Sequence, residues 1–268
     1  MQLPPTPALA HLIKHFLIID IDNLPNRSLR MFSDGNTGIV FNYKDPILFR
    51  PHDKPAALLP SSFLYGPFHH FQDLTATGRI GVLVAVFHPF AITPTVKIPA
   101  NDLIDQVVDL DAIYHQQGRD ILEQISYASD SFAKIAVVED FFLKRLSDLK
   151  PPSSDAFHAV RLIQEHNGNV PVNALLSSLQ ISERKLERVF QDNVGYSPKR
   201  FAGITRVQYF LKLLRRDRPA NYTGLVYDAG FYDQAHLIRT MKSISGITPG
   251  EYLDQPNLLA ANFLEISL

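Results

Sequence analysis

The stretches LERVFQDNVGYSPKRF (Leu186–Phe201) and LIRTMKSISGITPGEY (Leu237–Tyr252) are one pattern written twice, 51 residues apart. At that offset Ser182 meets Asp233, Leu186 meets Leu237, Arg188 meets Arg239 and Phe190 meets Met241. Further on, Gly195 meets Gly246, Ser197 meets Thr248, Pro198 meets Pro249 and Phe201 meets Tyr252. The shared positions are those that build helices. Ser or Asp caps an N-terminus, Gly stops a C-terminus, and Ser/Thr-Pro starts the next helix, where the missing proline N–H costs nothing. Each copy follows a short apolar helical stretch and a tight turn, VNALLSSLQIS (Val172–Ser182) and LVYDAGFYD (Leu225–Asp233). Short helix, turn and capped second helix predict two helix-turn-helix units.

In each second helix the apolar residues fall at i, i+3 and i+4: Leu186, Val189 and Phe190, then Leu237, Thr240 and Met241. That face turns inward. The outward positions near the N-terminus are then Arg184, Lys185, Glu187 and Arg188 in the first copy and Gln234, Ala235, His236 and Arg239 in the second. Arginine pairs bidentately with guanine and glutamine with adenine in the major groove, and recognition helices read with their N-terminal residues. Residues 181–218 also hold 10 basic and 4 acidic side chains, a local +6 in a chain of net charge −1. Such a stripe suits a confined polyanion site. The competing reading is that two helical hairpins pack on each other and their charges are merely solvated.

The segments ISERKLERVF, GYSPKRF, AGFYDQAHLIRTMK and SGITPGEY resemble the DNA-binding domain of the AraC/XylS family of transcription regulators. The resemblance covers roughly the last hundred residues and implies two helix-turn-helix units joined by a long connector, here Ser197–Arg216. By motif position it puts base contacts on Arg184, Glu187 and Arg188, and on Gln234, Ala235, His236 and Arg239. The side chain of Ala235 can offer only a methyl contact to thymine. Lys185, Lys199, Arg200, Lys212, Arg215, Arg216 and Lys242 are the candidates for phosphate contacts. Two departures stand out. Gln180 occupies a turn position that the family usually gives to Gly, and Leu176 and Val226 stand where small Ala is usual. The added bulk is expected to tilt the scaffolding helix and relax readout by the first unit.

The linker KPPSS (Lys150–Ser154) divides the chain, since two prolines cannot continue a helix and serines suit a helix start. The expected organisation is a β-rich domain closed by helices over 1–150, a linker at 151–154, the double helix-turn-helix domain over 155–253 and a tail over 254–268. The fold class is thus α+β: a β-rich domain followed by an all-α one. GIVFNY (Gly38–Tyr43), SFLYGPF (Ser62–Phe68) and RIGVLVAVF (Arg79–Phe87) read as strands. Ser131–Leu146 reads as a helix with Phe132, Ile135, Val138, Phe142 and Leu146 on one stripe. In the second domain Ser154 is the expected cap of a helix that stops at Gly168. The first half also resembles, more loosely, a β-rich domain found ahead of this DNA-binding unit in a subset of the family. VFHPFAITPTVKIPANDLIDQVVDL (Val86–Leu110) carries that likeness, with the end of the stretch expected to be helical. It implies effector sensing, homodimerisation or both, with His88 standing where Arg is common.

Other chemistry is weakly supported. The chain has no Cys, which excludes thiolate zinc sites, disulfides and a Cys nucleophile. No phosphate loop, nucleophile elbow or HExxH motif is present. His52, His69, His70 and His88 raise a metal site as an alternative, that of a small-molecule-binding or metal-dependent β-domain enzyme with a helical assembly domain. His69 and His70 are adjacent, however, and would point to opposite faces of a strand. We therefore expect no cofactor, no metal and no catalysis. Phe63, Tyr65, Phe68 and Phe71 are read as β-domain core rather than pocket lining. No apolar run approaches 18 residues, and the N-terminus lacks a basic region ahead of an unbroken apolar core, so a cytoplasmic protein that binds double-stranded DNA, and no membrane, is expected. The apolar tail NLLAANFLEISL (Asn257–Leu268) has three open fates: its own first domain, a partner subunit, or disorder.

Overall fold

The computed structural model describes residues 1–22, 27–51, 55–217, 222–254, 258–260 and 262–266. Ten strands come from the first half: β1 (Gln2–Leu3), β2 (Ile13–Ile21), β3 (Ser28–Met31), β4 (Thr37–Asn42), β5 (Ile47–Arg50), β6 (Ala57–Leu58), β7 (Ser62–Tyr65), β8 (Gln72–Ala76), β9 (Ile80–Phe87) and β10 (Val107–Asp109). Short helices α1 (Ile92–Val96) and α2 (Leu110–Tyr114) flank β10, and α3 (Gln116–Tyr127) and α4 (Ser131–Leu143) follow. The second half holds α5 (Ser154–Glu165), α6 (Val172–Leu179), α7 (Glu183–Asn193), α8 (Pro198–Asp217), α9 (Thr223–Asp228), α10 (Gln234–Ser245) and α11 (Pro249–Leu253). Two last strands, β11 (Leu258–Ala260) and β12 (Phe263–Ile266), close the described chain.

The strands form two antiparallel sheets of six, ordered β1-β2-β9-β4-β7-β10 and β11-β12-β3-β8-β5-β6. The first sheet is covered on both faces, and its central strands show it. In β9, Val82, Val84 and Val86 turn toward the second sheet, while Leu83, Ala85 and Phe87 turn toward the helices. A strand buried on both faces reads as a continuous apolar run rather than an alternation. β4 divides likewise, Val40 one way and Ile39 and Phe41 the other. α3 and α4 cover the outer face, where Phe142 meets Phe87 edge-on at 5.7 Å between ring centroids. The two facing sheets leave a cavity between them of about 650 Å³.

Several sequence expectations need adjustment. Ser153, not Ser154, caps α5, accepting from the Ala156 N–H. α4 ends at Leu143, Leu146 lies in a following 3₁₀ turn, and Phe132 stands 67% exposed at the head of the helix rather than on its buried stripe. The stretch expected to close Val86–Leu110 as a helix is a 3₁₀ turn (Ala100–Leu103) and then β10. Asp105 in a left-handed conformation (φ 53°) breaks the helical path, and the β-branched Val107 and Val108 pair with Tyr65 and Leu64 of β7. Phe63, Tyr65 and Phe68 are indeed mostly buried, but they line the cavity, while Phe71 lies under the guanidinium of Arg30. The tail joins the chain's own first domain, β12 pairing with β3.

The second half rests on the first through polar contacts centred on the repeated motif. The Tyr196 ring is fully buried. Its hydroxyl donates to the Phe68 carbonyl at 3.0 Å and lies 2.7 Å from Ser33 Oγ, which in turn accepts from the Gly35 N–H. His69 stacks on the same ring and donates from Nε2 to the Gly195 carbonyl at 2.8 Å. Burial lowers the His69 pKa, which favours the neutral, single-donor ring in that bond. Gln208 reaches the Ser33 carbonyl and Thr93 the Asp192 carbonyl. Removing one hydroxyl here strands two buried polar groups, a loss of about 1–3 kcal/mol. Tyr196→Phe should therefore lower the unfolding free energy in urea by that amount, seen as a lower midpoint at unchanged m, without changing the circular dichroism of the fold; an unchanged midpoint would show that the Ser33–Tyr196–Phe68 chain adds nothing.

Candidate nucleic-acid interface

Both helix-turn-helix units form as the repeat predicts: α6 with α7, and α9 with α10. Ser182 caps α7 by accepting from the Lys185 N–H at 3.3 Å, and Asp233 caps α10 by accepting from the His236 N–H at 2.6 Å. Ser197 and Thr248 cap the following helices, Thr248 in a reciprocal box with Glu251. Leu186, Val189 and Phe190 are buried in α7, and Leu237 and Met241 in α10. Thr240 is half-buried and its hydroxyl donates to the His236 carbonyl.

α8 joins the units. Its 20 residues span about 30 Å at 1.5 Å per residue. Phe201, Ile204, Val207, Phe210, Leu211 and Leu214 are all buried, because α5, α7, α9 and α10 all pack on the helix.

The first turn tolerates its departure from the family pattern at a cost. Gln180 adopts the left-handed conformation (φ 53°, ψ 42°) that glycine takes without penalty, and its N–H reaches the Leu176 carbonyl. Val226 is fully buried and Leu176 partly so; both scaffolding helices form with these larger side chains in place.

The expected reading residues sort into three groups. Arg184, Glu187 and Arg188 on α7, and Arg239 on α10, are exposed and make no hydrogen bond or ion pair among the described residues. Gln234 and Ala235 are exposed, with the Gln234 amide donating to the Thr223 hydroxyl at 3.0 Å. His236 is half-buried, its ring edge-on to Phe231. Of the candidates for phosphate contact, Lys199, Lys212, Arg216 and Lys242 are exposed. Lys185 is engaged with Asp155 of α5 at 2.8 Å. Arg200 is a correction: its guanidinium donates to the His69 carbonyl, so it joins the two halves of the chain instead of facing outward. Arg215, exposed on α8, also borders the cavity between the sheets. Arg206, a further basic residue of the stripe, is half-buried with its guanidinium over Phe231, and burial lowers its pKa. Sequence reasoning passed over Tyr232, 85% exposed beside the Asp233 cap. An exposed aromatic at the head of an outward-facing helix was legible, but it lies outside the repeated positions.

The C-terminal ends of α7 and α10 face the β-rich half. A Cβ added to Gly195 would lie 2.5 Å from Pro67, and one added to Gly246 would lie 2.4 Å from Phe71. The two stop glycines of the repeat, both left-handed (φ 74° and 73°), thus also admit the close approach of the β-rich half. The N-terminal ends, which carry the outward side chains, are the ends left exposed.

Two of the other histidines raised as metal ligands have structural partners. His70 Nδ1 lies 3.4 Å from Asp105, and His88 Nε2 donates to the Ala10 carbonyl at 3.1 Å. His52 lies outside the described residues.

Comparison with known proteins agrees with this architecture. Residues 175–255 match the family model described as "Helix-turn-helix domain", and residues 1–109 match one described as "Domain of unknown function (DUF6597)". A protein of Haemophilus influenzae described as an uncharacterized HTH-type transcriptional regulator is 23% identical over 93 residues, 35% of this chain and 31% of that protein. The match thus spans about a third of that relative's length. Among solved structures, ToxT from Vibrio cholerae superposes with a TM-score of 0.53 at 12% identity, covering 89% of this chain and 97% of ToxT. A second ToxT structure, bound to (E)-4-(8-methylnaphthalen-1-yl)but-3-enoic acid, gives a TM-score of 0.53 at 13% identity over 89% and 98% of the two chains. A third, described as bound to an unsaturated fatty acid, gives 0.51 at 14% identity over 89% and 94%. At these identities the likeness is one of fold, and it runs through both halves.

Proposed function

We propose that the chain is a DNA-binding transcription regulator with an AraC-type helix-turn-helix domain at its C-terminal end, and that α7 and α10 are its two base-reading helices. Arg184, Glu187 and Arg188 read one major-groove segment; Gln234, Ala235, His236 and Arg239 read the next. Arg188 and Arg239 take the leading roles, as bidentate donors to guanine. The observation that carries this is their duplication: the same arginine stands exposed, and unpaired among the described residues, at the same turn of both copies, on helices anchored at their other ends. Lys199, Lys212 and Lys242 supply phosphate contacts, and Tyr232 stands exposed at the head of α10. Lys185 and Arg200 leave that role, since each already has a partner within the chain. The protein acts on DNA in the cytoplasm without catalysing a reaction, a reading that rests on the DNA-binding domain. Among the described residues no helix is long and apolar enough to cross a membrane.

Arg188→Ala and Arg239→Ala should each cost about 1–3 kcal/mol of operator affinity and relax preference at one position of the site. Lys212→Ala should weaken binding evenly and flatten the dependence of log K on log salt by about one. Titrations of a selected duplex against salt measure both effects. Unchanged affinity and unchanged preference in both arginine variants would remove the assignment.

The β-rich half reads as an effector domain, and its cavity as the effector site. What supports this is a space of about 650 Å³, within the usual range for small-molecule sites, walled by aliphatic and aromatic side chains of both sheets. Polar groups gather where α8 crosses it. Gln208 and Arg215, two turns apart on one face of that helix, stand with Ser33, Asp34 and Asn36 from the β3–β4 loop. The Asn36 amide is bound to Asp34, while its Oδ1 is buried without a partner among the described residues. An apolar molecule with one polar end fits this lining, and the ToxT ligands, a naphthyl butenoic acid and an unsaturated fatty acid, are of that kind. A conjugated-polyene C18 fatty acid, whose fluorescence rises on burial, should bind and be displaced by C12–C18 acids or alcohols. Absence of saturable fluorescence with the probe and of any effect of the competitors on melting temperature would empty the proposal.

A further inference from the structure

The cavity is closed on one side by chain that arrives from beyond the DNA-binding domain. α11 ends at Leu253 and β11 begins at Leu258. β12 then pairs with β3, Phe263 opposite Met31, Leu264 opposite Arg30 and Glu265 opposite Leu29. Asn262 clamps the start of this pairing twice. Its carbonyl accepts from the Phe32 N–H at 3.1 Å, and its side-chain amide donates to the Phe32 carbonyl at 3.0 Å. Leu264 is fully buried, and Glu265 pairs with Arg27. Successive side chains of a strand point to opposite faces. Leu264 accordingly belongs to the main core, while Phe263 packs with the residues between the sheets. Asn262 and Phe263 border the same cavity as Gln208 and Arg215.

We infer that the C-terminal hairpin is a ligand-contacting wall of the cavity, with Phe263 lying on the apolar body of the effector and Asn262 holding the wall in place. The inference rests on the effector reading above, but it assigns residues that reading does not require. Its consequence is a tether. A ligand that touches Phe263 binds best the state in which β12 is paired, and so shifts the hairpin toward that state. The five-residue step from Leu253 to Leu258 reaches at most about 18 Å. While β12 stays paired, the second helix-turn-helix unit is therefore held near the sheet, and Arg30 of β3 already lies against Gly246 at the end of α10. Cavity occupancy is thus communicated to the DNA-binding half by its own trailing strand as well as by α8.

The test uses the full-length chain and the polyene C18 fatty acid as probe. Phe263→Ala should weaken the probe by about tenfold, the order expected when a buried aromatic contact is lost. Asn262→Ala should weaken it less, and Glu265→Gln, whose carboxylate pairs with Arg27 and does not border the cavity, should leave it unchanged. Hydrogen exchange of the β12 amides should slow when the probe is bound. If wild type binds the probe while Phe263→Ala binds it equally and β12 exchange does not respond, the tail is no part of the site, and the effector reading stands alone. If wild type takes up no probe, the effector reading itself fails and the ligand-contacting role of the tail falls with it.

Discussion

The arrangement depends on one helix. α8 carries a helix-turn-helix unit at each end, and it is buried along its length rather than along a single stripe. Phe201 tilts against Phe190 of the first unit and blocks any Cβ at Gly35 of the β-rich half, and Phe210 meets Tyr222 ahead of the second unit. A helix gripped on several sides bends little, so α8 holds α7 and α10 in one fixed relation, Phe201 meeting Phe190 of α7 and Gly203 facing Thr240 of α10.

The same duplication also fixes which ends of α7 and α10 stay exposed. Gly195 and Gly246 end α7 and α10 in the left-handed conformation, and the β-rich half sits so close to both that a single methyl group would collide with it. One residue type serves two purposes at both sites: it terminates the helix and lets another backbone or ring approach. With the C-terminal ends anchored, the N-terminal ends carry the arginines outward. Tyr196, next to the first of these glycines, adds the buried hydroxyl that orients the contact. Motion of the DNA-binding half relative to the sheets must break these contacts, and the cavity lies beside them.

How much of this was legible in the sequence follows from the range of the interactions involved. Caps, stop glycines and proline starts are local, so the two units, the connector and the outward face of α7 could be read directly from Ser182, Gly195, Ser197 and Pro198. The strands Thr37–Asn42, Ser62–Tyr65 and Ile80–Phe87 were legible because β-branched and aromatic runs have few other uses. What escaped depends on contacts distant in sequence. Arg200 looked like a phosphate ligand until His69, 131 residues away, was seen to take its guanidinium. Phe63, Tyr65 and Phe68 carry the same composition whether they fill a core or line a space, and only the separation of two sheets decides it. The tail's apolar residues gave no sign of β3 as their partner, since a strand's edge is a property of the assembled sheet. The misread helix near Val107 failed for a local reason, a left-handed Asp105 followed by two valines already matched to β7.

A base-resolved footprint of the purified chain on a DNA site selected from a random pool tests the central claim most directly. If α8 fixes two reading helices in one rigid frame, methylation interference will reveal two major-groove patches on the same face of the duplex, about 10 base pairs apart. Inserting half a helical turn between them will abolish specific binding. A single patch, or two patches that tolerate the insertion, would contradict the account.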